Sequence, residues 1–229
     1  MPRLNSPELL DDSAWRDRDE LRANLRDMAR YDRWLGVFDD VLRRADLHCA
    51  GMALDVGVGS GELIAQAQRR APHTRWVALD LSREVLNITH EQTPVPQVQG
   101  RAQQLPFVDG AFDVVTCSNT LHHLTDQDAV WLLRECARVS RRVVIADLVR
   151  SSVTLAGAWV LTRLTSRNRL TRADGVHSAR RAFTIQEAMQ LVQKSGIPDF
   201  VIHQPAPVRF TAVWERSLRR EPPIGQTTH

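Results

Sequence analysis

Three glycines at positions 57, 59 and 61, a carboxylate just before them at Asp55 and another at Asp80 are the residues whose types and spacing most directly suggest chemistry. They lie in Leu54-Asp55-Val56-Gly57-Val58-Gly59-Ser60-Gly61 and in Arg75-Trp76-Val77-Ala78-Leu79-Asp80. A glycine turn lets the backbone approach a ligand closely, and a helix starting from that turn offers unpaired N–H groups to it. Asp80 follows the last glycine by 80 − 61 = 19 residues. An acid about 20 residues on, at the tip of the next strand, suits a ribose diol, because a carboxylate accepts from both hydroxyls. Together the two features point to a nucleoside-type cofactor. The spacing departs from the usual dinucleotide fingerprint, whose third glycine would fall at Glu62.

A second set of reactive groups follows the stretch Phe112 to Cys117. Ser118-Asn119-Thr120-Leu121-His122-His123 reads as a turn carrying two imidazoles, and Asp147 ends the apolar run Val143-Val144-Ile145-Ala146. Histidine has the intrinsic pKa of a base near neutrality. Either His122 or His123 could take a proton from an acceptor, or only pack against the cofactor. Asp147 could orient or deprotonate a substrate, or only cap the segment after its strand. No histidines and carboxylates stand at metal-ligand spacing, so no metal is expected. Cys49, Cys117 and Cys136 are odd in number and lack C-x-x-C spacing, which predicts reduced thiols; Cys117 is not expected to be a nucleophile.

The elements that must position these groups follow from periodicity. Apolar Leu21, Leu25, Met28 and Leu35 predict a helix from an N-cap at Ser13, and Val37, Phe38, Val41, Leu42 and Ala45 predict a second helix after Gly36. Strands are expected at Met52–Val56, Arg75–Leu79, about 97–99, Phe112–Cys117 and Val143–Ala146. Helices are expected after Gly61, from Ser82, over 126–139 and over about 153–164. A capping box, Thr184-x-x-Glu187, opens a further helix. The tail offers strands at Phe200–Ile202 and Val208–Trp214, antiparallel across the link Gln204–Pro207. Alternation of this kind predicts a doubly wound, mostly parallel seven-stranded α/β sheet with a final antiparallel hairpin. Residues 1–50 read as an N-terminal helical extension or lid. Residues 51–229 read as the main domain, with a substrate-covering insertion at about 150–182.

Composition narrows the class. At 229 residues one domain is expected. There is no apolar run long enough to span a bilayer and no signal-peptide pattern, so a cytoplasmic location is expected. The net charge is +3, carried almost entirely by arginine, since Lys194 is the only lysine. Between positions 150 and 181 stand seven arginines and one acid, Asp174. An apolar helix with basic flanks there suits a lipophilic or phenolic substrate or contact with a membrane surface.

The stretch around Asp55 resembles the first motif, D-x-G-x-G-x-G, of the class I S-adenosylmethionine (SAM) methyltransferases. Leu105-Pro106-Phe107-x-Asp109-Gly110-x-Phe112-Asp113, followed by the histidine turn, is similar to the quinone- and polyketide-modifying members of that family. The resemblance covers about residues 50–148 and implies a Rossmann-like fold with SAM as cofactor. It implies cofactor contacts at Asp55, Gly57, Gly59, Gly61, Asp80, Leu81, Arg101, Ala102, Gln103, Ser118 and His123. Catalytic roles fall on His122, His123 and Asp147. Tyr31, Arg33, Trp34, Trp159 and Arg180 are candidates for substrate contact. One position departs: the family has an Asp where Arg101 stands, and arginine accepts no hydrogen bond, so an adenine contact must shift to Gln103, to backbone or to stacking. The function implied is methyl transfer to a hydroxyl or activated ring carbon of a small aromatic, quinone or polyketide-like metabolite. DNA is not expected as a partner. The rivals are an RNA methyltransferase, marked by salt-dependent RNA binding, and a SAM-binding protein without catalysis.

Overall fold

The computed structural model describes residues 2–4, 6 and 17–216. Its centre is a seven-stranded sheet: β1 (Met52–Val56), β2 (Arg75–Asp80), β3 (Gln97–Gln99), β4 (Phe112–Ser118), β5 (Ser140–Leu148), β6 (Val201–Ala206) and β7 (Arg209–Glu215), in the order 3-2-1-4-5-7-6. The pairs among β1 to β5 are parallel; β7 runs antiparallel to both β5 and β6. The mixed sheet with its antiparallel end is the one the sequence predicts.

Each central strand is apolar on both faces because helices cover both. Leu54, Val56, Val115 and Ile145 pack with Leu132 and Leu133 of α5 (Asp126–Val139) and Leu191 of α8 (Ile185–Ser195). The alternate residues Ala53, Val114 and Val144 pack with Phe38 and Val41 of α2 (Val37–Ala45) and Ile64 of α3 (Glu62–Arg70). A third, small cluster joins Leu21 and Leu25 of α1 (Arg18–Trp34) to Val85 and Ile88 of α4 (Arg83–Gln92).

The expected N-cap at Ser13 lies outside the described residues; α1 is capped by Asp17, whose carboxylate accepts from the Asp19 and Glu20 N–H groups, each at 3.0 Å. Ser82 caps α4 and Thr184 caps α8 with its complete capping box, as their sequences predict.

Three elements differ from expectation. Strand β5 begins at Ser140 because α5 passes straight into it, Ser140 Oγ donating to the Cys136 carbonyl at 2.7 Å. Strand β6 runs on to Ala206, through most of the expected link. Pro205 is tolerated there because β6 is an edge strand with an irregular register between His203 and Ala206. A helix with little apolar periodicity, α7 (Arg169–Arg181), follows α6 (Ser152–Thr165). Its N-cap is Asn168, and Gly175 lets it cross α6 closely: a Cβ there would lie 2.6 Å from Thr162 Cγ2.

Candidate active site

The carboxyl ends of β1, β2 and β4 open into a cavity of about 1220 Å³, closed over by α1, α6 and α7. That exceeds the usual volume for a single small ligand, roughly 300–1,000 Å³, so two ligands can share it. One half is walled by the glycine turn, the other by Leu25, Met28, Ala29, Ala158 and Leu161 from the overlying helices.

The glycine turn is fixed to its neighbours. The Gly57 and Val58 N–H groups donate to the Leu79 carbonyl at 2.8 and 3.2 Å, and Thr89 Oγ1 donates to the Gly59 carbonyl at 2.6 Å. Gly57 has φ 72°, and a Cβ on it would stand 2.1 Å from Thr120 Oγ1, so no side chain fits against the turn after β4. Gly59 has φ 53° and lines the cavity wall without a side chain, its carbonyl held by Thr89 and its N–H by Asp80. Gly61 does not line the cavity; it packs under Thr89 and Thr93.

Two carboxyls flank the turn. Asp55 is buried and accepts from Thr116 Oγ1 at 2.7 Å; burial pushes its pKa up to about 7, the Thr116 hydroxyl opposing and the charge of Asp80 adding to the rise. Asp80, at the tip of β2, is raised to about 6 by burial, against the pull of the Ser82 and Gly59 N–H groups and of His123. Leu81, exposed, lines the same half with Arg101, Ala102 and Gln103. Arg101 stands at the exposed rim, bridged to Gln104. Ser118 Oγ is a buried hydroxyl without a hydrogen-bond partner among the described residues, in the cavity wall. An orphaned hydroxyl, a bare glycine backbone and a strand-tip carboxylate are the donors and acceptors that an amino-acid-bearing nucleoside such as SAM requires.

The floor of the other half is polar. His122 and Asp147 are both buried, with Nδ1 to Oδ1 at 2.7 Å, and Asp147 Oδ2 accepts from the His122 backbone N–H at 3.1 Å. Burial alone would raise the Asp147 pKa; the His122 imidazole and the Leu148 N–H outweigh it and hold the carboxyl below its ordinary value. His122 lines the cavity while Asp147 stands behind it. The His123 ring lies on that of His122, centroids 4.3 Å apart.

Beside them is a cluster that sequence reasoning missed. Asn119, in a left-handed conformation with φ 53°, donates to both oxygens of Asp32 at 2.9 and 2.7 Å, and Arg209 reaches Asp32 at 3.3 Å and the Asn119 side-chain oxygen at 2.5 Å. Burial pushes Asp32 up, with Arg209 and Asn119 pulling it back. The histidine turn is also pinned from outside. Arg181 donates to the His122 and His123 carbonyls at 3.0 and 2.5 Å; Arg3 donates to the Leu124 carbonyl at 2.7 Å and lies over the Phe183 ring.

Among the candidate substrate residues, Tyr31 is buried in the cavity wall with its hydroxyl 2.8 Å from Thr165 Oγ1. Arg33, Trp34, Trp159 and Arg180 are not in that wall. Arg33 turns outward to Glu62 at 2.8 Å; Trp34, Trp159 and Arg180 are exposed, because the inward faces of α1, α6 and α7 are taken by Asp32, Leu161 and Arg181. Cys117 and Cys136 are buried, and burial pushes both thiols up, Cys136 to about 12, which makes them poor nucleophiles.

Residues 53–142 match the family model described as "Methyltransferase domain". That segment holds the glycine turn, Asp80 and the histidine turn, so the likeness to the family rests on residues that line the cavity. Demethylmenaquinone methyltransferase of Thermotoga maritima is 34% identical over 100 residues, covering 42% of this chain and 43% of that protein. The ubiquinone/menaquinone biosynthesis C-methyltransferase UbiE of Vibrio campbellii is 34% identical over 110 residues, covering 42% of each. The chain thus spans less than half the length of these curated relatives. In fold it is similar to human N-acetylserotonin methyltransferase in complex with SAM (TM-score 0.65, 17% identity, 91% of this chain and 59% of that one). It is similar also to the plantazolicin methyltransferase BpumL in complex with SAH (TM-score 0.63, 13% identity, 86% and 95%).

Proposed function

We propose that the chain is a SAM-dependent methyltransferase whose acceptor is a hydroxyl-bearing small aromatic, quinone or polyketide-like metabolite. The observation that carries this reading is the buried His122–Asp147 pair, whose imidazole lines the cavity between a nucleoside-type glycine turn and an apolar chamber. Quinone-modifying relatives support the substrate class.

The backbone at Gly57 and Gly59 and the Asp80 carboxylate would hold the nucleoside, with Leu81, Ala102 and Gln103 around its base and Asp55 and Ser118 toward its amino-acid end. Bound there, SAM supplies a methyl group on a sulfonium leaving group. With Nδ1–H donated to Asp147, the neutral imidazole of His122 carries its lone pair on Nε2, the nitrogen that accepts the acceptor's hydroxyl proton. Ionised Asp147 then stabilises the imidazolium and holds the ring in place. Removing a phenol's proton raises the nucleophilicity of both its oxygen and its ortho carbon, so one base serves O- or C-methylation. The overlying α1, α6 and α7 exclude water and fix the acceptor's orientation, which accounts for much of the acceleration of a displacement reaction. Three of the seven arginines between positions 150 and 181 are used internally: Arg150 on Glu187, Arg172 on the Ser166 carbonyl and Arg181 on the His122 carbonyl.

The test is incubation with SAM and a panel of hydroquinones and phenols, read by mass spectrometry. The expected result is a singly methylated product from at least one panel member. SAM binding without any such product, or methylation of RNA alone, would overturn the reading.

A further inference from the structure

Helix α6 is apolar on both of its faces. Thr154, Ala158, Leu161 and Thr162 turn inward and line the cavity. Val153, Val160 and Leu164, spaced along the opposite stripe, are exposed at 62%, 45% and 80%, with Trp159 beside them at 52%. A helix that is apolar all round is ordinarily buried all round, and a contiguous exposed apolar stripe marks a docking surface. The stripe continues onto the end of α1. Arg30 donates to the Thr165 carbonyl at 3.0 Å and lies 5.3 Å from the ring of exposed Trp34, which places that indole by the C-terminal end of α6.

Charge decides what covers it. Arg163, stacked 5.7 Å from the Trp159 ring, is exposed on this face, and Arg167, in the link between α6 and α7, is exposed just beyond its end. Among the described residues no carboxylate pairs with either. Arg30 and Arg169 nearby, by contrast, are matched to Asp27 and Glu20. The sole acid between positions 150 and 181, Asp174, is buried in the cavity wall. Aliphatic side chains, tryptophans and unmatched arginines on one face of a helix are the composition that lies in a membrane interface. No helix among the described residues is long and apolar enough to cross a bilayer, so α6 can only lie along it.

We propose that the outer face of α6, with Trp34, docks on the surface of an anionic lipid bilayer. The inner face of the same helix walls the apolar chamber, so a lipophilic acceptor leaving the bilayer has one helix thickness to pass. That consequence rests on the proposed activity; the docking itself does not.

The test is co-sedimentation of the whole chain with vesicles of phosphatidylcholine alone and of equimolar phosphatidylcholine and phosphatidylglycerol. Sedimentation with the anionic vesicles is expected, weakening as salt is raised. Replacing Arg163 and Arg167 together by Gln should weaken it about thirtyfold, at about fivefold for each cation lost near such a surface. Trp159→Gln with Leu164→Gln should abolish it. These side chains are exposed, so SAM binding by calorimetry should be unchanged in every variant, separating docking from the cofactor site. The proposal is overturned if the parent ignores anionic vesicles, or if the Trp159→Gln/Leu164→Gln variant binds them equally. It is overturned also if the parent is a dimer in sedimentation velocity that this variant dissociates, because a second copy then covers the stripe.

Discussion

Replacing Asp55 by Asn should make the ligand-free protein more stable at mildly alkaline pH while weakening its hold on SAM. Asp55 is buried at the end of β1, and its pKa is raised from 3.8 to about 7. A rise of about three units corresponds to roughly 4 kcal/mol against the ionised form in place. Because the folded value lies above the unfolded one, the proton on Asp55 supports the fold fully below 3.8, and that support is lost as pH rises through about 7. Between about pH 5 and about pH 8 the parent should therefore lose roughly 2–3 kcal/mol of stability that the Asn variant does not lose. The amide is nearly isosteric and can still accept from Thr116 Oγ1, so little packing changes. A cationic cofactor, by contrast, favours the carboxylate. Losing one charge-assisted contact of about 1.5–3 kcal/mol should weaken SAM binding by about ten- to a hundredfold at about pH 8. The assay is urea denaturation at several pH values with and without SAM, beside calorimetric titration. Parallel stability curves for the two proteins from pH 5 to 8 would refute the reasoning, as would an Asn variant that binds SAM as tightly as the parent.

Other substitutions separate the two halves of the cavity. Asp80→Ala should weaken SAM binding about a hundredfold in calorimetry, the loss of two hydroxyl hydrogen bonds to a charged acceptor. His122→Ala should lower kcat by roughly 10²–10⁴ with SAM affinity within about threefold, and Asp147→Asn should lower kcat similarly; a normal rate in either removes the pair from catalysis. Arg3→Ala should reduce kcat while sparing SAM binding, because Arg3 holds the Leu124 carbonyl and stacks on Phe183 without touching the glycine turn.

The parts legible in the sequence were those written in local signals. Continuous apolar strands, helix caps at Ser82 and Thr184, and the glycine turn followed by Asp80 each depend on neighbours in the chain, and they gave the mostly parallel sheet with its antiparallel end and the glycine-turn half of the cavity. The parts that were not legible depend on contacts distant in sequence. Asp32 sits among the arginines and aspartates of a helix that looks solvent-facing; only the fold brings it to Arg209, 177 residues away. Helix α7 carries no apolar stripe because α6 and α1 cover it with polar and small residues, and its mid-helix Gly175 reads as a breaker until Thr162 is seen against it. Trp159, a candidate for substrate contact from its sequence, stands on the exposed face of α6. The helix that carries it has apolar residues to spare, and the smaller ones face the cavity.

The residues that set the histidine turn come from outside the segment that matches the methyltransferase family model. Residues 53–142 supply the glycine turn, Asp80 and the histidines themselves. The groups that fix the turn are Arg3, Asp32 on α1, Arg181 on α7 and Arg209 on β7. On the proposed reading, cofactor binding and placement of the base are therefore physically separable. Asp32→Ala tests this: it leaves Arg209 buried beside Asn119 without its carboxylate, and breaking a buried pair from one side costs roughly 3–5 kcal/mol of stability. Asn119, held in a left-handed conformation, loses both acceptors for its amide, and the turn that leads to His122 loses its anchor. The expected variant has a lower melting temperature and a kcat reduced at least tenfold, yet binds SAM with unaltered affinity at a temperature where it is folded. Asp32→Asn, which keeps an acceptor for Asn119, should recover part of the rate. A parallel loss of SAM affinity and turnover in Asp32→Ala would mean that α1 belongs to the cofactor site and that the two halves of the cavity are one.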